Sequence, residues 1–327
     1  MPRPTRLRKD LSAGWRRLHR LWRLSLNEKV KQSHRLLKQV IKTRDRPVVC
    51  WSGGKDSTVV LHLSLQHDPR IPVIYVDSGV EFAQTKRFVK ELRDAWCLEL
   101  RTARPSAGAD FWSIGAKYGW PLFGKSVAAN VERARRSGNR RTQLSSLEEA
   151  LFDGGLYVSG MCSEYIQLRP SMRAEQALHA DAKVIGIRAQ ESRARVRLWV
   201  DHGDYYFVKR YFGRNRGIWK ANPIATWTDK DVWDYHRLYK IPHCMLYDMG
   251  HKRNGCWACA MGIRNGQLGR LRASHPRLFR RLLLRTPMGN EIMRARALLR
   301  GERVKHAYHS SEISDLLRNV PEAFDVL

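Results

Sequence analysis

The sequence predicts an α/β fold: a doubly wound parallel sheet with a basic helical arm before it and a helical tail after it. Three observations support this prediction. Short apolar runs alternate with segments of helical periodicity, which is typical of strands joined by crossover helices. The first run ends in Ser-Gly-Gly, a tight turn that opens a helix. The 327 residues are 43% hydrophobic, enough to form a substantial core.

The N-terminal segment, residues 1–46, predicts one or two basic amphipathic helices between Leu11 and Ile41. Apolar side chains recur there at helical spacing, for example Trp15, Leu18 and Trp22, with arginines between them. Three interpretations stay open. The segment is a helix packed on the body with a solvated basic face, an arm that binds nucleic acid, or, less favoured, a helix at a membrane surface.

The body, residues 47–263, contains the alternating elements, and residues 264–327 form the basic helical tail. A basic exposed loop is expected around residues 133–141. Thr228 suits the N-cap of a helix because Asp229, Lys230 and Asp231 follow it. The predicted strands are Val48–Trp51, Pro72–Val76, Leu98–Arg101 and Val184–Ile187. The predicted helices are Asp56–His67, Ala83–Trp96, Trp227–Tyr239 and a helical segment from Pro276 onward.

The charge indicates a polyanionic partner, with tRNA or DNA as candidates. The chain has 60 Lys and Arg against 31 Asp and Glu, and most of the excess lies in residues 1–46 and 264–305. The alternative is a compositional bias toward arginine, which supplies 43 of the 60 cations. The sequence offers neither a membrane-spanning run nor a secretory leader, so we expect a cytoplasmic protein without integral membrane association.

Residues Ser52–Ser57, the phosphate loop below, are the strongest motif. Gly53 and Gly54 allow a tight turn close to a phosphate, and the helix start favours an anion there. Lys55 adds a positive charge, Ser52 and Ser57 add hydroxyl donors, and Asp56 suits Mg²⁺. The spacing is not that of a Walker A loop.

Several ordered motifs resemble the phosphoadenylyl-sulfate (PAPS) reductase family of PP-loop ATP pyrophosphatases. The resemblance covers about residues 46–263, and it implies an adenine nucleotide alpha hydrolase-like fold. The DNA phosphorothioation sulfur-transfer subunit and phage-borne relatives look nearest. The matching segments are Ser52–Ser57, Asp77–Phe82 with Thr85, Gly186–Arg195, Asn222–Trp233, Ile241-Pro242, Tyr247-Asp248 and Gly255–Cys259.

The resemblance assigns site residues to this chain. Lys55 and Asp56 are the expected catalytic residues, both at an exposed edge of the sheet. The nucleotide is expected to contact the phosphate loop, Asp77, Gly186 and Arg188. Candidate substrate-binding residues are Arg188, Glu191, Ser192, Arg195 and Lys125, with Lys125 the weakest of them.

The cysteines predict a metal or cluster site. Cys256 and Cys259 are two residues apart in a Cys-x-x-Cys pair, at ligand spacing. Cys162 stands where the resembled adenylyl-sulfate reductases place further ligands of a [4Fe–4S] cluster. The three thiolates would leave one iron open, as in cluster-dependent tRNA-thiolating PP-loop enzymes. A structural Zn²⁺ with His251 or His243 is the alternative. Cys50, Cys97 and Cys244 are expected to be packing residues.

The expected function is ATP-dependent activation with pyrophosphate release, coupled to sulfur transfer onto a nucleic acid, with a sulfur-donor protein as a possible partner. The intact phosphate loop fits ATP and Mg²⁺, and no cysteine follows Cys259 to serve as a reductase nucleophile. Two alternatives stay open: a PAPS or adenylyl-sulfate reductase, and a catalytically silent nucleic-acid-binding module with a structural zinc.

Overall fold

A computed structural model describes residues 11–137, 144–209 and 217–319. Helical segments occupy most of these residues. In chain order the α-helices are α1 (Leu11–Trp22), α2 (Leu26–Thr43), α3 (Lys55–Leu65), α4 (Ala83–Ala95), α5 (Phe111–Tyr118), α6 (Lys125–Ser137), α7 (Ser146–Asp153), α8 (Met161–Ser163), α9 (Arg169–Ala177), α10 (Arg193–His202), α11 (Asp229–Leu238), α12 (Gln267–Ser274), α13 (Pro276–Leu284), α14 (Pro287–Leu299) and α15 (Ser310–Asn319).

One six-stranded sheet, in the order β3-β2-β1-β4-β6-β5, confirms the α/β fold class. Its strands are β1 (Pro47–Cys50), β2 (Val73–Val76), β3 (Leu100–Ala103), β4 (Ala182–Ile185), β5 (Tyr205–Val208) and β6 (Ile218–Ala221). The pairs formed by β1, β2, β3, β4 and β6 are parallel, with Val49 beside Val73 and Val184. The edge strand β5 is antiparallel to β6. The sheet is therefore mostly parallel, and its antiparallel edge strand β5 is not among the predicted strands.

The predicted elements reappear with small shifts at their ends. Val48 and Val49 of β1 are buried, as expected for a strand covered on both faces. Thr228 caps α11 and accepts a hydrogen bond from the Asp231 N–H, as predicted. The third strand begins at Leu100 rather than Leu98, because Cys97, with φ 49°, turns the chain just before it.

Contacts divide the chain into two compact units. The sheet unit contains the described residues of 1–76, 84–103 and 171–247. The helical unit contains those of 77–83, 104–170 and 248–327. Residues 133–137, predicted to begin a basic exposed loop, instead form the end of α6, because Ala128, Val131 and Ala134 continue a buried apolar face at helical spacing. The predictions for residues 1–10, for 138–141 of the loop and for 320–327 of the tail lie outside the described residues.

Helices α1 and α2 are packed into the sheet unit. Leu18 of α1 lies in an apolar cluster with Ala189, Val196 and Trp199. In α2, the buried Lys29 ammonium donates to Asp231 Oδ2 at 2.6 Å and to the Trp22 carbonyl at 2.9 Å. Ser25 begins α2 with a capping box that includes Glu28. The described part of the basic N-terminal segment therefore contributes apolar core residues and a buried ion pair to this unit.

Helices dominate the other unit. Its extended pairings are isolated bridges, which join Glu81 to Cys256, Trp120 to Val158 and Leu122 to Ala260. Within residues 11–137, 144–209 and 217–319, none of the helices combines the length and hydropathy that crossing a bilayer requires.

Candidate functional site

The phosphate loop joins the carboxyl end of β1 to the start of α3. Gly53 adopts φ 72°, which an L side chain tolerates poorly, and Gly54 is the N-cap of α3. The Ser57 hydroxyl donates to the Gly54 carbonyl at 2.9 Å and lies 3.0 Å from the Ser52 hydroxyl. The Trp51 indole N–H donates to Thr58 Oγ1 at 3.0 Å. These bonds fix a rigid turn at the N-terminal end of an 11-residue helix, where the helix dipole favours an anion.

Four charged side chains form an ion network beside this turn. Lys55 Nζ lies 2.6 Å from Asp229 Oδ1 and 3.2 Å from Asp56 Oδ2. The Arg188 guanidinium donates to Asp229 Oδ1 at 2.8 Å and forms a second, shorter contact with Asp56. Two cations therefore face two carboxylates, and the network is neutral.

The expectation that Lys55 and Asp56 are both exposed is wrong. The Lys55 side chain is only 5% exposed, and that of Asp56 is 22% exposed. A buried ammonium requires nearby carboxylates to offset its desolvation, and Asp56 and Asp229 supply them. Burial acts to raise the pKa of Asp229, but the hydrogen bonds and charges of Lys55 and Arg188 outweigh it and hold that pKa below its ordinary value.

Sequence reasoning missed four residues that position this network: Asp229, Gln190, His236 and Tyr247. The Asp229 N–H donates to Gln190 Oε1 at 2.6 Å. The Lys55 N–H donates to the Tyr247 hydroxyl at 2.9 Å, and the His236 ring lies 3.0 Å from the Lys55 carbonyl. One signal in the sequence could have identified Asp229 as a site residue. It directly follows the N-cap Thr228, and a helix start beside the sheet edge is a usual place for a ligand-binding side chain.

Gly186 lies against the phosphate loop. A Cβ atom built on it would be 2.9 Å from both the Cα and the N of Ser57. Any larger residue would therefore push the loop after β4 away from α3. This close approach explains how Arg188, two residues later, reaches Asp56.

The predicted substrate-binding residues Glu191, Ser192 and Arg195 contact one another. The Ser192 hydroxyl accepts from the Arg195 N–H at 3.3 Å and caps α10. Glu191 accepts from the Arg188 N–H at 3.1 Å and pairs with the Arg195 guanidinium. They support the Arg188 loop, and their contact with a substrate stays a prediction.

The remaining candidates, Asp77, Lys125 and the three cysteines, lie in the helical unit. Asp77 accepts from the Gly79 N–H at 3.2 Å and lies 3.4 Å from the Arg104 guanidinium. Lys125 begins α6, and its charge acts to lower the pKa of Cys162 and Cys259. The roles of Asp77 in nucleotide binding and of Lys125 in substrate binding stay predictions.

Cys162, Cys256 and Cys259 come within electrostatic reach of one another. Burial, with a smaller contribution from Cys259, raises the pKa of Cys162 and of Cys256 to about 12. Cys162 in turn contributes to the raised pKa of Cys256. Burial also raises the pKa of Cys259, so all three groups are neutral thiols near pH 7.

Cys256 is surrounded by polar side chains. The Gln167 amide donates to its sulfur at 3.6 Å, and the Ser78 hydroxyl lies 3.8 Å from it. Ser78 also contacts Glu81, whose pKa burial raises above its ordinary value. A sulfur at this position therefore has two potential hydrogen-bond partners and a nearby carboxyl group.

The three cysteines predicted to hold a cluster all lie in the helical unit. The described parts of the chain contain no group of three or more His, Cys, Asp or Glu side chains placed to hold a metal ion. Of the alternative zinc ligands, His251 lies 2.7 Å from the Ser274 hydroxyl, and His243 belongs to the sheet unit. We therefore derive no step through a cluster, and its presence stays a prediction.

The other cysteines differ from one another. Cys244 is buried, and burial raises the pKa of Cys50 to about 11, in agreement with packing roles. Cys97 is exposed at the turn before β3, so its interpretation as a packing residue is wrong.

A comparison with known protein families finds a match that covers most of this chain. The family model described as the phosphoadenosine phosphosulfate reductase domain matches residues 46–261. The chain belongs to this family. The match contains the phosphate loop, Arg188 and Asp229 of the sheet unit, and the three candidate cysteines of the helical unit.

Curated relatives are distant. An uncharacterised protein of Methanocaldococcus jannaschii is 26% identical over 74% of this chain and 42% of its own length. A phosphoadenosine 5'-phosphosulfate reductase of Xanthomonas campestris is 26% identical over 61% of this chain and 65% of its own, and one of Alkalilimnicola ehrlichii is 29% identical over 63% and 66%. The chain thus spans less than two thirds of the length of these relatives.

Two solved structures are distantly similar to this chain. The phosphoadenylyl-sulfate reductase of Candida auris, in a phosphate complex, is 19% identical with a TM-score of 0.47, over 75% of this chain and 95% of that one. The FMN adenylyltransferase of Candida glabrata is 13% identical with a TM-score of 0.40, over 75% and 69%.

Proposed function

We propose that this chain binds ATP with Mg²⁺ at the phosphate loop and releases pyrophosphate to activate an acceptor for sulfur transfer, with a nucleic acid as the acceptor. The observation that carries the proposal is the ion network of Lys55, Asp56, Arg188 and Asp229 beside an intact Ser-Gly-Gly-Lys-Asp-Ser turn.

The charge balance of the network accounts for the need for a divalent cation. A triphosphate would meet two cations already paired with two carboxylates, so its own negative charge would not be compensated. Asp56 and Asp229 supply carboxylate oxygens, the ligands that Mg²⁺ prefers. When Mg²⁺ is bound it neutralises phosphate charge, and Lys55 and Arg188 are then available to the phosphate oxygens.

The chain's own residues would act by positioning and by neutralising charge. An acceptor oxygen bonds to the α-phosphorus of ATP while the bond to pyrophosphate breaks. Lys55 and Arg188 stabilise the charge that develops on the phosphates. A nucleophilic sulfur from a donor then bonds to the activated acceptor atom, and AMP leaves with the acceptor oxygen. We assign Cys162, Cys256 and Cys259 to sulfur handling.

The test is pyrophosphate release from ATP by the full chain with Mg²⁺. Lys55→Ala and Arg188→Ala should each lower the rate about 100-fold or more, since each removes a preorganised charge from the phosphates. Lys90→Ala, at an exposed site on α4, is the matched control and should retain the wild-type rate. Wild-type activity in the Lys55 variant would overturn the proposal.

Sulfonucleotide reduction is the second candidate, because two of the three curated relatives, those of Xanthomonas campestris and Alkalilimnicola ehrlichii, carry that activity in their names. Sulfite release from PAPS with thioredoxin as the reductant, without any pyrophosphate release from ATP, would establish it instead. Nucleic-acid binding with neither reaction would favour a silent binding module. Iron, sulfide and zinc content after anaerobic purification distinguishes the cluster from a structural zinc.

A further inference from the structure

The segment that contains the Cys-x-x-Cys pair has an extreme charge balance. Residues 249–290 include nine Lys and Arg and no Asp or Glu. A segment of this length with cations alone repels itself, and such a charge distribution favours a partner with many negative charges.

Helix α13 places several of these cations on one exposed surface. Its buried face consists of Phe279, Leu282 and Leu283. Arg277, Arg280 and Arg281 lie on the opposite side, three and four residues apart, and Arg285 follows one turn later; all four are exposed. No acidic side chain in the described residues forms an ion pair with these four arginines, which we call the α13 arginine face.

This face contacts the segment that carries Cys256 and Cys259. The Arg281 guanidinium carbon lies 6.0 Å from the centre of the Trp257 ring, and Trp257 stands between Cys256 and Cys259 in the chain. Lys252 and Arg253, on the other side of the cysteine pair in sequence, are also exposed. The charges of Lys125 and Arg253 reach Cys259, where they act to lower its pKa.

The composition of the face favours a nucleic acid over a membrane or a protein. Among the described residues the exposed large hydrophobic side chains are Trp15, Tyr157, Phe207, Leu238, Tyr239 and Met245, and none lies in residues 249–290. Membrane-surface helices and protein interfaces present apolar or aromatic anchors. A surface of arginines without such anchors matches a phosphodiester backbone.

We infer that the α13 arginine face binds the phosphate backbone of a nucleic-acid acceptor and holds it beside the Cys256–Cys259 loop. The inference rests on the proposed sulfur transfer for its purpose, but the binding itself can be measured separately. Arg281 contacts Trp257 and also belongs to the α13 arginine face. It therefore links the bound nucleic-acid strand to the loop that carries Cys256 and Cys259.

The experiment compares Arg277→Ala/Arg280→Ala/Arg285→Ala with the wild-type chain. Arg281 is kept because it packs on Trp257. The probes are a 20-nucleotide single-stranded DNA, an RNA of the same sequence and the DNA duplex, each titrated at several salt concentrations. The matched control is Arg87→Ala/Lys90→Ala/Arg101→Ala, which removes three exposed cations from the sheet unit.

The α13 variant should bind the probes at least about tenfold more weakly. The magnitude of its slope of log K against log salt should decrease by roughly 2–3, because about one unit is lost per phosphate contact. The control should change neither quantity. Equal effects in both variants, or binding of the wild type to phosphatidylserine vesicles but to none of the three probes, would overturn the inference. Pyrophosphate release is scored in parallel, so a failure of the proposed reaction is seen independently of nucleic-acid binding.

Discussion

At the scale of single residues, the site depends on one close approach as much as on its charges. Gly186 lets the loop after β4 lie against the start of α3, which brings Arg188 to Asp56. The sequence motif indicated that a glycine stands there. It did not indicate why, because the contact is with a residue 129 positions earlier in the chain.

Gly186→Ala should therefore damage nucleotide binding. The new methyl group would lie 2.9 Å from backbone atoms of Ser57, which cannot move without opening the phosphate loop. We expect a loss of about 1–3 kcal/mol in the free energy of unfolding and a weaker ATP affinity, measured by urea denaturation and by calorimetry. Gly160→Ala is the control, because its φ is −99° and nothing lies within 4 Å of the new atom. Equal stability and affinity in the two variants would contradict this account.

Residue burial was the least predictable property of the site. The phosphate loop, Arg188 and the three cysteines could be found from sequence, because each belongs to a motif. The burial of Lys55 could not, since it depends on Asp229 from α11, 174 residues away. A lysine in a loop is ordinarily solvated, and only the folded arrangement supplies the second carboxylate that compensates it.

At the scale of elements, ion pairs connect helices that lie far apart in the sequence. Lys29 of α2 pairs with Asp231, which is also the residue that accepts hydrogen bonds from Thr228 at the start of α11. The same helix start carries Asp229 of the ion network. The N-terminal helices thus support the element on which the candidate nucleotide site depends.

Lys29→Met should be strongly destabilising, because it leaves the Asp231 carboxylate buried without its cation. We expect a loss of about 3 kcal/mol in the free energy of unfolding by urea denaturation. Lys31→Met, at an exposed position of the same helix, should cost less than about 0.5 kcal/mol. Similar values for the two substitutions would show that the pair contributes little.

Elements were predictable where a local pattern was complete. β1, β2 and α11 have apolar runs or caps that stand out, and each was predicted within a few residues. The β5–β6 pair was missed. Its signal was present in the aromatic run Tyr205–Val208, but Lys220 interrupts the apolar pattern of β6, and strand pairing of this kind depends on partners rather than on local sequence.

At the scale of the whole molecule, one buried imidazole and five half-buried ones connect stability to pH. Burial lowers the pKa of His34, His62 and His67 in the sheet unit, and the same holds for His236 there and for His251 and His275 in the helical unit. His34 Nδ1 lies only 2.8 Å from His67 Nε2, so a second proton on this pair would meet a like charge. The folded chain therefore resists protonation that the unfolded chain accepts.

The sign of the pH dependence follows from linkage. Each lowered pKa contributes stability that is present above the unfolded value of about 6.5 and is lost as pH falls through it toward the folded value. Burial raises the carboxyl pKa values of Glu81 and Asp204, and these groups act in the opposite sense, losing stability as pH rises. With six histidines on one side, the histidine contribution should dominate between pH 7.5 and 5.5.

The melting temperature should therefore fall by at least about 3 °C between pH 7.5 and pH 5.5 at constant ionic strength. His34→Gln/His67→Gln should flatten this dependence, because it removes two groups whose pKa burial holds below the unfolded value of about 6.5. His306→Gln, at an exposed position, should leave the dependence as in the wild type. A melting temperature that stays constant over this range would contradict the account. A slope unchanged in the double variant would instead assign the effect to His62, His236, His251 and His275, since burial lowers the pKa of those groups too.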